Sequence, residues 1–231
     1  MVTSGRQAAE ETTDKRLLRG AQSRRTVTRR AVDIASLDGL DGLSFGRLAE
    51  DLGISKAGIQ TLFRTKEGLQ LATVEAAREA FVDAVIRPAL RSPAGVARIR
   101  ALVDRWIEYA VQPLFSGGCF WGANLPEFDS RPGPVRDVLR RQQRAWHTTL
   151  ATQFRRAVAR GEIAEIDPES AAFQVSALLS AVNLAVRLGD DDRVAMARHV
   201  IDGLLTHDSR HAVGAAPLGC PQQEPNMRGR R

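Results

Sequence analysis

Cysteine is scarce in this chain: only Cys119 and Cys220 occur among 231 residues. They show no CxxC or Cys/His spacing, which excludes a zinc site or a disulfide framework as the organising device. Aromatic residues make up 5% of the chain. The β-branched and aromatic residues never alternate over a strand-length run, so the sequence offers little from which to build a sheet. No apolar run precedes Arg24, and no apolar stretch of about 18 residues is evident, which argues against a signal peptide and a membrane span. A cytoplasmic protein without membrane contact is the expectation. The chain also lacks a nucleophile elbow, an HExxH, a Gly-rich phosphate loop and a paired-carboxylate pattern. Glu127 and Asp129 lie two apart, which is too little to mark a catalytic pair. An enzyme is therefore not expected, and neither a metal site nor a cofactor.

What remains is 43% hydrophobic and 26% charged residues, enough for a small domain fused to a larger one. Alanine and leucine dominate the interior segments, and an all-α fold of about nine helices is the simplest reading. Residues 1–22 are polar, charged and rich in Thr, Gly and Arg, and read as a disordered basic arm. Residues 23–70 form a first domain, residues 71–207 a second, and the proline-containing residues 208–231 a disordered tail. The net charge of +6 is concentrated at one end. Residues 1–30 hold eight basic groups against Glu10, Glu11 and Asp14, a balance of +5. A basic arm running into a DNA-binding unit supplies phosphate contacts, whereas a solubilising tail is the plainer reading.

The segment from Leu43 to Leu69 predicts two short helices, a tight turn and the start of a further helix. The first helix covers about Arg24 to Leu37, with Val27, Ala31, Ile34 and Ala35 on one face. Ser44 caps the second helix, Gly53 supplies the left-handed turn, and Ser55 caps the third helix over Lys56 to Phe63. Leu48, Ala49, Leu52, Ile54, Ile59 and Phe63 are the expected core of this unit. The third helix then exposes Lys56, Ala57, Gln60 and Thr61, placed as a recognition helix places its base-reading residues. Ser44, Arg47 and Lys66 are candidate phosphate contacts, and Ser55 lies at the start of the reading helix. A lysine at a helix N-terminus, where acids are favoured, asks for an anionic partner.

The run LAEDLGISKAGIQTLFRTKEGL strongly resembles the DNA-binding domain of TetR-family transcriptional regulators. Ala49, Gly53, Ile54, Ser55, Ile59, Phe63, Lys66, Glu67 and Leu69 fill the family pattern over roughly residues 24–70. Gln60 stands where Tyr is usual, and Leu62 where Tyr or His is usual. The first exchange replaces an aromatic phosphate contact by an amide, which implies an altered operator preference. The stretch GGCFWGANLPEFDSRPGPVRDVL resembles part of the regulatory domain in one subgroup of the family. The resemblance implies a homodimer on a palindromic double-stranded DNA operator, and repression relieved by a small molecule. A helical adaptor that binds protein without reading DNA is the alternative, although it would need neither Lys66 at a helix start nor the basic arm.

The helices after residue 70 support that plan independently. The fourth is expected to run from Lys66 to about Ile86, ending before Pro88, and to transmit ligand binding to the DNA-binding unit. Asp167 followed by Pro168 opens an eighth helix. Together with the ninth, over about 168–206, it has more apolar surface than one neighbour covers, which points to a dimer interface. The aromatic residues Trp106, Tyr109, Phe115, Phe120, Trp121, Phe128 and Trp146 are candidates for lining a cavity that takes an apolar or aromatic ligand. Asn124 and His147 are the polar candidates to orient it. Each aromatic residue could equally be ordinary core, and Cys119 beside them could be an inert thiol or a redox-sensitive one.

Overall fold

The computed structural model describes residues 3–206, with side chains described from residue 20 onward. The tail expected over 208–231 lies outside the described residues. Nine helices and no strand occur among the described residues.

Helix α1 runs from Thr3 to Asp38. Val27, Ala31, Ile34 and Ala35 are buried along one face, as their spacing predicts. The helix begins some twenty residues before the expected start near Arg24, so residues 3–22 continue it rather than forming a disordered arm. Those residues contain no proline and are rich in Ala, Glu, Gln and Arg, all good helix formers. Once the packed half has nucleated the helix, each further residue needs only one more backbone hydrogen bond.

A 3₁₀ turn at Leu40–Gly42 leads to α2, Phe45–Leu52, and α3, Lys56–Phe63. The caps are those the sequence predicts. Ser44 Oγ accepts from the Arg47 amide at 3.1 Å, and Ser55 Oγ from the Gly58 amide at 3.1 Å. Gly53 adopts φ 62°, a conformation that costs a residue without a side chain little. Leu48, Ile59 and Phe63 are buried, while Ala49 and Leu52 are half-buried. Ile54 departs from expectation, being 41% exposed. Its amide bonds to the Ala49 carbonyl at 3.1 Å. The turn is thus closed by backbone and needs no anchoring side chain. Leu40 and Leu43, fully buried before α2, complete the small core instead.

Helix α4, Lys66–Phe81, is capped by Thr65 Oγ1 accepting from the Gly68 amide at 2.9 Å. It continues through a π-helical turn, Val82–Ile86, into a last α turn, Arg87–Ala89. The expected stop before Pro88 does not occur. The Arg87 amide bonds back five residues to the Val82 carbonyl. That shift by one residue takes up the irregularity just ahead of a proline that has no N–H to offer. The remaining helices are α5, Val96–Val111; α6, Phe120–Phe128; α7, Pro134–Ala159; α8, Pro168–Leu188; and α9, Asp192–Leu204. Asp167 caps α8 by accepting from the Ser170 amide at 2.8 Å, and hydrogen bonding from the Ser170 side chain and amide together holds its carboxyl below the usual carboxylate range.

The helices share one continuous apolar core. Helix α8 lies against α5, α7 and α9, and α1 packs against α4 and α6. Helix α8 also corrects the reading that no membrane-length apolar stretch exists: its length and composition suffice to cross a bilayer. Core helices of water-soluble proteins pass the same test.

Candidate nucleic-acid interface and ligand cavity

Helix α3 turns Ile59 and Phe63 inward and leaves Lys56, Ala57, Gln60 and Thr61 exposed. The Thr61 hydroxyl donates to the Ala57 carbonyl at 2.8 Å, which spends its hydrogen and leaves its two lone pairs free to accept. Ser44 and Ser55 are exposed at their caps. The two candidate clamps have internal partners. Arg47 pairs with Asp38 at 2.6 Å, and Lys66 Nζ donates to the Asp41 carbonyl at 2.7 Å. Both pairs are largely exposed, where such pairs contribute little and a phosphate competes. Lys66 keeps further N–H donors for that purpose. Two arginines of the basic first thirty residues serve the head itself. Arg24 stacks over Phe63 at 4.6 Å and donates to the Leu62 carbonyl at 2.8 Å. Arg30 pairs with Asp51 at 2.7 Å.

A cavity of about 790 Å³ opens among α4, α5, α6, α7 and α8. Trp106, Trp121 and Trp146, the only tryptophans in the chain, all line it. Phe81 stands between them, edge-on to Trp121 at 5.2 Å and to Trp146 at 5.7 Å. It also meets Tyr109 at 5.4 Å. Val82, Ile86, Leu125 and Leu184 add apolar wall; Gln142, Ser176, Ser180 and Asn183 add polar groups. This α4 wall is not among the sequence candidates, because Phe81 lies outside the aromatic-rich segment 106–146. The one available signal was Phe81, at the far end of the helix expected to bridge the two domains.

Six of the nine cavity candidates lie elsewhere. Tyr109, Phe115, Phe120 and Phe128 are buried core, the Tyr109 hydroxyl accepting from the Phe120 amide at 3.0 Å. His147 faces Gln143, at 3.2 Å, and the ring of Phe173. Burial pushes its pKa down, against the pull of Glu169. Cys119 does line the cavity, but burial pushes its thiol pKa up. It is thereby kept as the unreactive thiol rather than the thiolate.

Asn124 is the most informative correction. It is 0% exposed and ties the DNA-binding head to α6 instead of facing the cavity. Its Oδ1 accepts from the Leu40 amide at 2.8 Å, and its Nδ2 donates to the carbonyls of Ala35 at 3.0 Å and Phe120 at 2.7 Å. Beside it, Glu127 accepts from the Leu40 and Asp41 amides at 2.9 and 2.8 Å. Arg131 pairs with Asp41, and with Lys66 nearby this holds the Asp41 carboxyl below its usual range. The loop ahead of α6 joins in as well. The Ser116 amide and hydroxyl bond to Asp33 at 3.0 and 3.1 Å, and the Gly117 amide to Ser36 Oγ at 2.9 Å. A side chain at Gly117 would run into the Ser36 backbone. Helix α6 therefore has two working faces. Trp121, Gly122 and Leu125 border the cavity, while Asn124 and Glu127 grip the turn between α1 and α2.

Residues 95–201 match the family model for the tetracyclin repressor-like C-terminal domain. A TetR transcriptional regulator from Chloroflexus aurantiacus superposes with a TM-score of 0.74 at 26% identity, covering 80% of this chain and 94% of that one. This chain belongs to the TetR family of transcriptional regulators. Two further solved structures share the fold at lower identity. One is AibR in complex with isovaleryl coenzyme A and operator DNA, with TM-score 0.64, 20% identity, and coverage of 79% and 97%. The other is a regulator from Saccharomonospora viridis in complex with choline, with TM-score 0.65, 21% identity, and coverage of 81% and 97%. No curated protein matches by sequence. As a TetR-family member the chain is a DNA-binding regulator and not an enzyme, with α2 and α3 as its helix-turn-helix. Helices α8 and α9 expose Phe173, Leu184, Leu188, Met196 and Val200, with Leu188 71% exposed.

Proposed function

We propose that this regulator is a homodimeric repressor that binds a palindromic operator and is released by a small molecule entering the α4–α8 cavity. The observation that carries the reading is that two helices, α4 and α6, each border the cavity and also hold the α1–α2 turn. Phe81 and Ile86 of α4 line the cavity, while Lys66 and Gln70 of the same helix bond the Asp41 and Leu40 carbonyls at 2.7 and 3.1 Å. Helix α6 does the same through Trp121 and Asn124. A ligand that prefers one setting of these helices changes the spacing of the two reading helices in the dimer. A modest coupling, roughly 1–3 kcal/mol, is enough to alter operator occupancy.

Lys56, Ala57, Gln60 and Thr61 are the proposed base-reading set. Ser44, Ser55, Arg47 and Lys66 position the phosphates. The exposed apolar residues of α8 and α9 form the dimer seam, which sets the two reading helices about one DNA turn (~34 Å) or more apart. That seam also explains an apolar α8 without a membrane. Complexes of similarly folded regulators with operator DNA, with an acyl coenzyme A and with choline support both halves of the reading. Selecting bound genomic fragments with the purified protein tests it. Enrichment of a two-fold symmetric site, followed by lower transcription from a reporter carrying it, is the expected result. Recovery of no enriched fragment, or higher transcription from the reporter, would overturn repression.

A further inference from the structure

We propose that the cavity takes an organic anion, an apolar or aromatic body ending in one negatively charged head, and that Arg141 binds that head. The inference rests on reading the cavity as the regulatory site. Its walls are apolar and aromatic, and among the lining residues there is no Asp, Glu, Lys or His. The only ionised side chains are Arg78 and Arg141. Arg78 is already compensated, its Nε and Nη2 lying 3.0 and 2.6 Å from the Glu75 carboxylate. Arg141 is exposed at the mouth, and no described carboxylate pairs with it. One uncompensated positive charge therefore borders a volume whose other lining groups are neutral, apart from the compensated Arg78.

The polar groups nearby point the same way. Gln142 Oε1 accepts from the Trp121 indole at 3.1 Å, and Asn183 Oδ1 accepts from the Cys119 amide at 2.9 Å. Each amide has spent its carbonyl within the protein and keeps its NH₂ donors, which suit an acceptor such as a carboxylate or phosphate oxygen. The surrounding field adds to this. From Val138 to Trp146, the stretch of α7 at the cavity contains Arg140, Arg141 and Arg144 and no acid. Such a run draws anions toward the mouth. A quaternary ammonium would find aromatic walls but no carboxylate, and would face Arg141.

The three tryptophans make the cavity its own reporter, so the test titrates the full chain by tryptophan emission. The probes share one body and differ in head: decanoate, decyl phosphate, decan-1-ol and decyltrimethylammonium. Both anions should bind on the order of tenfold more tightly than decan-1-ol, and decyltrimethylammonium most weakly. The tighter of the two anions identifies the head as carboxylate or phosphate. Arg141→Gln should bring the anions to the level of decan-1-ol and leave decan-1-ol unchanged, while Arg141→Lys should keep part of the preference. Equal binding of decan-1-ol and the anions, or tighter binding of the cation, overturns the anion assignment, and an anion preference that survives Arg141→Gln overturns Arg141 as the group that binds the head; each result leaves the ligand site standing. If no probe changes the emission, the ligand site falls and the anion assignment with it.

Discussion

Asn124 shows what one buried polar side chain contributes. Its amide satisfies groups at the end of α1, in the 3₁₀ turn and at the start of α6. Asn124→Ala strands the Ala35 carbonyl in a buried setting, with an expected loss of about 2–3 kcal/mol of stability in urea denaturation. Loss of less than about 0.5 kcal/mol would show that the head is held by other contacts. Lys66 is exposed, bonded to the Asp41 carbonyl and 3.9 Å from the Asp41 carboxylate, an ion pair that contributes little at the surface, so Lys66→Ala should cost little stability. If it clamps a phosphate, all duplexes should weaken by the same factor, and the salt slope should fall by about 1. Unchanged affinity would remove it from the interface. His147 gives a pH signature. Burial sets its folded pKa below the ordinary 6.5, so the unfolded chain takes up the proton first as pH falls. That contribution is present in full above about pH 6.5 and is lost as pH drops below it. Chemical denaturation of His147→Gln should therefore be less sensitive to pH than wild type between about pH 5 and 6.5.

At the scale of elements, α1, α4 and α6 matter most. Their Asn124, Glu127 and Lys66 contacts gather on the short 3₁₀ turn between α1 and α2. Each contact is a single hydrogen bond, but together they fix where the helix-turn-helix sits. The N-terminal half of α1 extends the basic segment as a helix rather than a loose arm. Arg24 and Arg30 within α1 are engaged by the head, which leaves Arg25 and Arg29, with Arg6, Lys15, Arg16 and Arg19 of residues 1–22, as candidates for phosphate. Deleting residues 1–22 should lower the salt dependence of DNA binding, read as the slope of log affinity against log salt. An unchanged slope would mean that the arm does not touch the duplex.

At the scale of the whole molecule, the exposed apolar face of α8 and α9 lies apart from α3. Pairing two chains through it buries side chains that a monomer leaves in water, and leaves both reading helices free. Leu188→Glu combined with Met196→Glu should yield a monomer by light scattering. Its operator affinity should fall by about 100-fold or more, because one head binds without the avidity of two. A double variant that remains dimeric would place the seam elsewhere.

The sequence by itself determined the local structure and the family. The caps at Ser44, Ser55, Thr65 and Asp167, the helical spacing of Val27, Ala31, Ile34 and Ala35, and the LAEDLGIS run are all short-range signals. They act through backbone amides and neighbours three or four residues away. The cavity was legible only in its three tryptophans and the bridge between head and cavity only in α4, while the α4 wall and the grip of α6 on the head were not, because these depend on which face of a helix meets which other helix. Trp121 and Asn124 sit three residues apart on α6, yet one borders a cavity and the other is sealed against the head. Phe81 reaches the tryptophans only when α4 crosses α6 and α7. Ile54, read as core, is exposed because backbone bonds closed its turn. Only tertiary packing decided these outcomes. The free energy of burying a side chain depends on what lies opposite it, and that partner is distant in the chain.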